Sequence, residues 1–425
     1  MFRADNTQKL GGEIFNKFNI RATPTVMILD PDGSEVDWHV GYGPPAEKFH
    51  DQIDKSFRGI DTYKYYADLY TKNPKDVKTV FNLAKKYDRR YNQEKAISLY
   101  KEAIALDPDG RLGTTDYGKS KVPNTQYAEF QIGSMSLFGM KVDVAPMKSF
   151  LAKYREGELV KAGYQRLTSY YSRAGTKEEA TKFLDEAVAK YPNDPSINSA
   201  YVRKIISTKE NVDKGIELSE HIIDLAGYNL DPSNVKDLAE LYTLKGLPAK
   251  ADSVYGKEFI DGKVSMFVYN ILQYSTFWSS RNMNTESAIT MADLVVKLKP
   301  DEDYYLRQAA QVFCTLKNPE KAMNVYGPKY AEKNATDANK LMGYSTFWAE
   351  QEKNLDGALT AAKTSTELTP ANARGWNAVS LVYQKMKKLD EAIKMMEKAV
   401  EVAAENQKSF YKNKLEVLKK QAGTI

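Results

Sequence analysis

The segment Tyr274-Ser275-Thr276-Phe277-Trp278 reappears seventy residues later as Tyr344-Ser345-Thr346-Phe347-Trp348. A repeat at fixed spacing constrains a fold strongly, because every copy has to take the same local structure and pack on its neighbours. Half that spacing runs along most of the chain. Small residues stand at Ala96, Ala180, Gly215, Ala251, Ala288, Ala322, Ala358 and Ala392, with steps of 35, 36, 37, 34, 36 and 34 from Ala180 onward. Nine residues before these positions come Tyr87, Tyr171, Ile206, Tyr242, Ser279, Phe313, Ala349 and Tyr383, mostly bulky. Twelve residues after four of them come Pro108, Pro192, Pro300 and Pro370, which stop a helix.

Each unit reads as two amphipathic helices joined by a short polar turn. A helix pair cannot bury its apolar face alone, so small residues let neighbours approach and bulky ones fill the space between repeats. The pattern resembles the tetratricopeptide repeat. The best copies hold Trp376, Tyr383, Ala392 and Ala399; Leu83, Tyr87, Ala96, Tyr100, Ala103 and Pro108; and Leu167, Tyr171, Ala180, Leu184, Ala187 and Pro192. The resemblance spans residues 77–406, and the units at Gly215 and Ala251 depart from it. The step from Ala96 to Ala180 is too long for one repeat: Asp109–Asn124 reads as a loop, and Gln126–Phe138 with Pro146–Tyr154 as an irregular helix pair. Gln407–Lys420, with five Lys and one Glu, reads as a solubilising cap helix with Phe410, Leu415 and Leu418 on one side.

Before the repeats the pattern turns from helical to extended. Leu10–Phe18 suits a helix, Thr25–Leu29 a short buried strand, Asp30-Pro31-Asp32-Gly33 a turn, and Glu35–Val40 an alternating strand. Ala46–Phe57 follows as a helix with Phe49, Ile53 and Phe57 on one face. This order, with Ala22-Thr23-Pro24-Thr25 leading into the strand, resembles the C-terminal half of a thioredoxin fold over about residues 2–58. The resemblance implies that Pro24 is cis and that Thr23 presents backbone to a peptide. It also implies a Cys-x-x-Cys half upstream, and the chain opens instead at Met1. Thiol–disulfide exchange needs two thiols, and Cys314 is the single cysteine, expected as a small buried hydrophobe in a repeat helix.

Composition narrows the remaining classes. The net charge of +5, from 61 Lys and Arg against 56 Asp and Glu without a long basic run, disfavours a dedicated nucleic-acid binder. No apolar run reaches the length of a membrane span, and no apolar leader follows Met1. His39, His50 and His221 have no ligand spacing for a metal, and Asp107-Pro108-Asp109-Gly110 reads as a turn. The Lys and Asn set by which some tetratricopeptide domains clamp a carboxylate does not assemble at Phe81, Lys85, Gln165, Ser169, Lys236 and Glu240. No cofactor is expected.

The aromatic residues are the better functional clue. In the register of the resemblance, Tyr274, Phe277, Tyr304, Tyr344 and Phe347 fall on the groove side of their helices, with Arg307, Gln311, Lys340, Arg374 and Asn377 interspersed. Trp278 and Trp348 pack between helices. Aromatics supply buried area and basic groups pair with carboxylates, which suits a protein or peptide partner. The expectation is therefore a mainly α chain: a right-handed helical-hairpin solenoid of about eight tetratricopeptide-type repeats after a small partial thioredoxin-like α/β module. The divisions are 1–60 for that module, 61–160 for a linker helix, first repeat, loop and irregular pair, 161–406 for tandem repeats, and 407–425 for the cap. The expected function is a non-catalytic interaction scaffold; the alternative is the C-terminal portion of a thioredoxin-family oxidoreductase. Fusions of this kind favour the periplasm over the cytoplasm, by analogy of fold alone, and oligomeric state is open.

Overall fold

A computed structural model describes residues 9–20, 22–41, 45–110, 113–139, 141–227, 230–262 and 267–423. The chain is mainly helical and divides into two compact units, Met1–Glu210 and Asn211–Ile425.

In the first unit, helix Lys9–Lys17 precedes an antiparallel pair of strands, Thr25–Leu29 and Glu35–Val40, turned at Asp30–Gly33. The Thr23–Pro24 peptide bond is cis. The first strand is less buried than its composition suggests, with only Ile28 in the core, while the second turns Asp37, Trp38 and His39 inward. Helix Ala46–Phe57 packs on the second strand. Its inward face carries Ser56, and Phe57 is exposed, contrary to the stripe expected from the sequence.

Helix Tyr63–Lys72 leads to the first repeat hairpin, Val77–Arg89 and Gln93–Leu106. The stretch expected to be a loop contains a second strand pair, Thr114–Tyr117 with Ser120–Pro123. Thr, Tyr and Val favour extended backbone there, and Gly118 supplies the left-handed residue of the turn. Helices Asn124–Ser136 and Ala145–Lys153 continue the stacking, followed by the hairpin Glu158–Tyr171 and Lys177–Lys190 and by helix Pro195–Thr208.

The second unit opens with helix Val212–Ala226. Hairpins then pair Pro232–Leu244 with Pro248–Tyr255, Val268–Ser279 with Thr285–Leu298, and Asp303–Thr315 with Pro319–Tyr326. Ala338–Glu350 with Leu355–Leu368 and Ala373–Lys385 with Leu389–Val402 complete the series. Each periodic small residue is the fourth residue of a hairpin's second helix, and the seven alanines are fully buried there. That position faces the first helix of its own hairpin, where a larger side chain would force the two apart. The Gly215 repeat is the exception, since Pro195–Thr208 belongs to the first unit and Val212–Ala226 to the second. Helix Glu405–Gln421 caps the series through Tyr411, Leu415 and Leu418. Tyr411 stands where Phe410 was expected, and Phe410 points outward.

Candidate functional site

The first helices of successive hairpins in the second unit lie side by side as one layer. All three aromatic positions of the pentapeptide pack inward in each copy. Tyr274, Phe277, Tyr344 and Phe347 are 0%, 5%, 1% and 4% exposed, so none of these four rings is a binding surface. The reason is a partner ring that the pattern did not reveal. Tyr255 lies edge-on to Phe277 at 5.3 Å, and Tyr326 stands in the same relation to Phe347, also at 5.3 Å. The expected packing of Trp278 and Trp348 between helices is observed, and each indole nitrogen donates to a carbonyl, of Tyr255 at 2.8 Å and of Tyr326 at 2.7 Å. Burial lifts the Tyr274 phenol to about 12 and pushes the Tyr326 phenol further up, so these rings remain neutral.

The one pentapeptide residue turned outward is threonine, Thr276 exposed and Thr346 partly so. It belongs to a stripe at helical spacing: Tyr269, Gln273, Thr276 and Ser280 on one helix, and Tyr304, Arg307, Gln311 and Thr315 on the next. Asn339, Gly343, Thr346 and Glu350 follow, then Arg374, Asn377 and Leu381. Tyr304 is 45% exposed and Tyr269 50%. Gln351 donates to Gln311 at 2.9 Å, joining the ends of neighbouring first helices. The Arg307 Nε is buried with no hydrogen-bond partner among the described residues, and Asp303, one turn before it, accepts from the Tyr326 and Tyr330 hydroxyls. Two expected residues are turned to other work. Lys340 donates to Asn334 at 2.9 Å, and Asn377 accepts from Lys414 of the cap helix at 3.0 Å.

Arg281, outside the expected groove residues, is a polar anchor of this layer. Its guanidinium lies 3.8 Å over the Phe277 ring, donates to the Phe277 carbonyl at 2.8 Å and pairs with Glu240 of the preceding hairpin. Cys314 is half-buried, and burial raises its thiol, which works against thiolate chemistry.

In the first unit, Thr23 and Pro24 are exposed, and the Pro24 carbonyl accepts from Gly41 N at 2.8 Å. The charged contacts of this region join it to the first repeat. Lys86 donates to both oxygens of the buried Asp37 at 2.9 Å, and Arg90 pairs with Glu35 while lying over the rings of Trp38 and Tyr63 at 4.9 and 4.2 Å. Asp37 also accepts from Ser56 Oγ at 2.6 Å, and Ser56 Oγ lies 2.8 Å from His39 Nε2. Serine, histidine and aspartate meet here without the geometry of a nucleophilic relay. The aspartate bonds to the serine directly, and the serine is buried.

Residues 373–406 match the tetratricopeptide repeat. That stretch is the hairpin Ala373–Lys385 and Leu389–Val402, one unit of the periodic series. No curated protein matches the chain. Among solved structures, YrrB, described as a TPR protein with an unusual peptide-binding site, is 14% identical over 54% of this chain and 97% of its own, with a TM-score of 0.24. Yeast Tom70 is 15% identical over 88% of this chain and 94% of its own, with a TM-score of 0.28. The Naa15/Naa10 complex bound to HypK-THB gives 16% identity over 88% and 63%, with a TM-score of 0.39. No helix among the described residues is long and apolar enough to cross a membrane.

Proposed function

We propose that the chain is a non-catalytic protein-interaction scaffold that takes a polypeptide along the first-helix layer of its second unit. The observation that supports this reading is the outward stripe of that layer. Four successive helices present amides, hydroxyls, two arginines and the half-exposed rings of Tyr269 and Tyr304 on one face, above a closed aromatic core. Such a surface offers donors and acceptors at regular spacing to an extended or helical ligand, with tyrosines as anchors. Of the residues expected from the sequence, Tyr304, Arg307, Gln311 and Arg374 keep a place in the proposed surface, and Thr276 and Thr346 join them. Asn377 stays on the stripe, engaged by Lys414 of the cap helix, and Lys340, bonded to Asn334, lies outside it.

We infer further that residues 1–60 are the partial thioredoxin-like module and that its described part serves as a structural element docked on the first repeat. The alternative, the C-terminal portion of a thioredoxin-family oxidoreductase, would take its cysteine pair from outside this sequence, which has Cys314 alone. The proposal is tested by screening the full chain against an immobilised peptide library and repeating the screen with Tyr304→Ala combined with Arg374→Ala. Selected peptides should lose affinity about tenfold or more, while the thermal midpoint stays unchanged. A library without binders, or binders indifferent to the double variant, would sink the reading.

A further inference from the structure

A cavity of about 250 Å³ opens where the second N-terminal strand, helix Ala46–Phe57 and the first repeat helix Val77–Arg89 meet. A larger cavity of about 560 Å³ adjoins it and shares His39, Gln52 and Arg89 as lining. The repeat helix contributes three cations to the smaller cavity, Lys85, Lys86 and Arg89, beside the amide of Asn82. Two carboxylates, Asp37 and Asp61, also line it, and both are engaged within the protein. Asp37 accepts from Ser56, from the Tyr63 backbone N–H and twice from Lys86, while Asp61 accepts from the Tyr66 hydroxyl at 2.7 Å. Lys55, also on the rim, pairs with Asp51 at 2.8 Å.

Among the described residues Lys85 has no carboxylate partner within ion-pair distance. Its ammonium donates to the neutral Thr115 Oγ1 at 3.0 Å and lies over the rings of Phe81 and Tyr127 at 5.6 and 5.7 Å. A half-buried ammonium whose direct contacts are all neutral is short of counter-charge. Burial accordingly pushes Lys85 below the ordinary lysine range, and Asp116 offsets this only in part. Arg89, one turn along the same helix face, is exposed and brings a planar donor fork suited to oxyanions. His39 is no competing cation, because burial lowers its imidazole below the usual range. Asp88 lines the adjoining cavity and is held by Arg89 and Arg166; within the smaller cavity the balance of unengaged charge is positive, and the neutral lining of Asn82 and Gln52 can donate hydrogen bonds.

We propose that this cavity is a binding site for a compact oxyanion, phosphate or a phosphate ester, held by Lys85 and Arg89 with Asn82 as a neutral donor. The ion would neutralise the half-buried ammonium at the joint between the N-terminal module and the first repeat, and so tighten that joint. The probe is sodium phosphate, titrated calorimetrically into the full chain at ionic strength held constant with sodium chloride. Saturable binding with a Kd of about 1 mM or tighter is expected, together with a rise in the thermal midpoint as the ligand saturates. Arg89→Gln, at an exposed side chain, should weaken binding about tenfold, and Lys85→Gln should do the same. Asn82→Asp places a carboxylate in the cavity, so it should abolish the phosphate response while raising the midpoint of the unliganded chain. Glycerol 3-phosphate separates the sources: tighter binding than inorganic phosphate assigns the site to an ester, and equal binding assigns it to the free ion. Absence of saturable binding, or phosphate affinity that survives Arg89→Gln and Asn82→Asp, overturns the proposal.

Discussion

At the scale of single residues, the polar network under the second strand ties pH to stability. His39 is buried against Ser56 and Asp37, with the Phe49 ring, Lys86 and Arg89 also facing it. Burial lowers its imidazole below the usual value, Lys86 and Arg89 add to that, and Asp37 opposes it. A histidine that binds its proton less readily when folded gives stability that is complete above about pH 6.5 and declines as pH falls toward its folded value. Asp37 has the same sign in a lower window. Burial pushes its carboxyl up, but Lys86 and Ser56 outweigh this and hold it below the usual range, so its share is lost only on further acidification. The first unit should therefore lose thermal stability between pH 7 and pH 5, and His39→Gln should flatten that slope; parallel slopes in calorimetry would refute the assignment. Arg90→Ala removes the Glu35 pair and two ring contacts at once, and should destabilise by about 2–3 kcal/mol in urea titrations. None of this was legible beforehand, because His39 and Asp37 meet Ser56 and Lys86 only after the strand and two distant helices are assembled.

At the scale of elements, the seventy-residue spacing has a structural cause. Hairpins of two kinds alternate in the second unit. One kind turns through a single left-handed residue, at Gly246, Lys317 and Lys387, and the other through two, at Asn282 with Asn284 and Glu352 with Asn354. In the Gly246 and Lys317 hairpins, though not in the Lys387 one, the second helix stops early before Gly256 and Gly327, and its last residue, Tyr255 or Tyr326, lies against the pentapeptide rings, with a short helix following. A Cβ at Gly256 would lie 2.3 Å from the Asp252 carbonyl, and one at Gly327 would lie 2.0 Å from that of Met323. Backbone cannot yield as a side chain would, so Gly327→Ala should cost about 2 kcal/mol or more, read as a lower urea midpoint. Trp348→Phe, which strips the Tyr326 carbonyl of its donor, should cost about 2 kcal/mol by the same measurement. The period and its small buried column were readable because they depend on spacing alone. The direction of the rings was not: the pentapeptide helix is buried on nearly every side, so its own periodicity does not distinguish a core stripe from a surface one. The Tyr255 and Tyr326 rings that decide the matter come from the preceding hairpin.

At the scale of the whole chain, stability is distributed among neighbours. Each repeat helix packs on its own hairpin and on the adjacent ones, so the energy of such an array is close to a sum of hairpin terms and nearest-neighbour interfaces. A lesion in one hairpin then weakens adjacent units first, where a single shared core would lose protection together. Phe347→Ala empties a site shared by Tyr326, Trp348 and the two helices of its hairpin, at a cost of about 3–5 kcal/mol. Hydrogen exchange should accelerate within Ala338–Leu368 and, to a smaller degree, in the flanking helices Asp303–Tyr326 and Ala373–Val402. Amides of Val77–Leu106, in the other compact unit, should keep their protection. The same variant leaves the outward stripe in place, because Phe347 is 4% exposed and contributes almost no surface. Peptide affinity measured well below the new midpoint should then stay within about threefold of the unaltered chain, whereas Tyr304→Ala with Arg374→Ala should lower affinity with no change in exchange. Uniform acceleration over all 425 residues would mean that the array unfolds as one body; affinity that follows Phe347 rather than Tyr304 would return the binding surface to the pentapeptide rings.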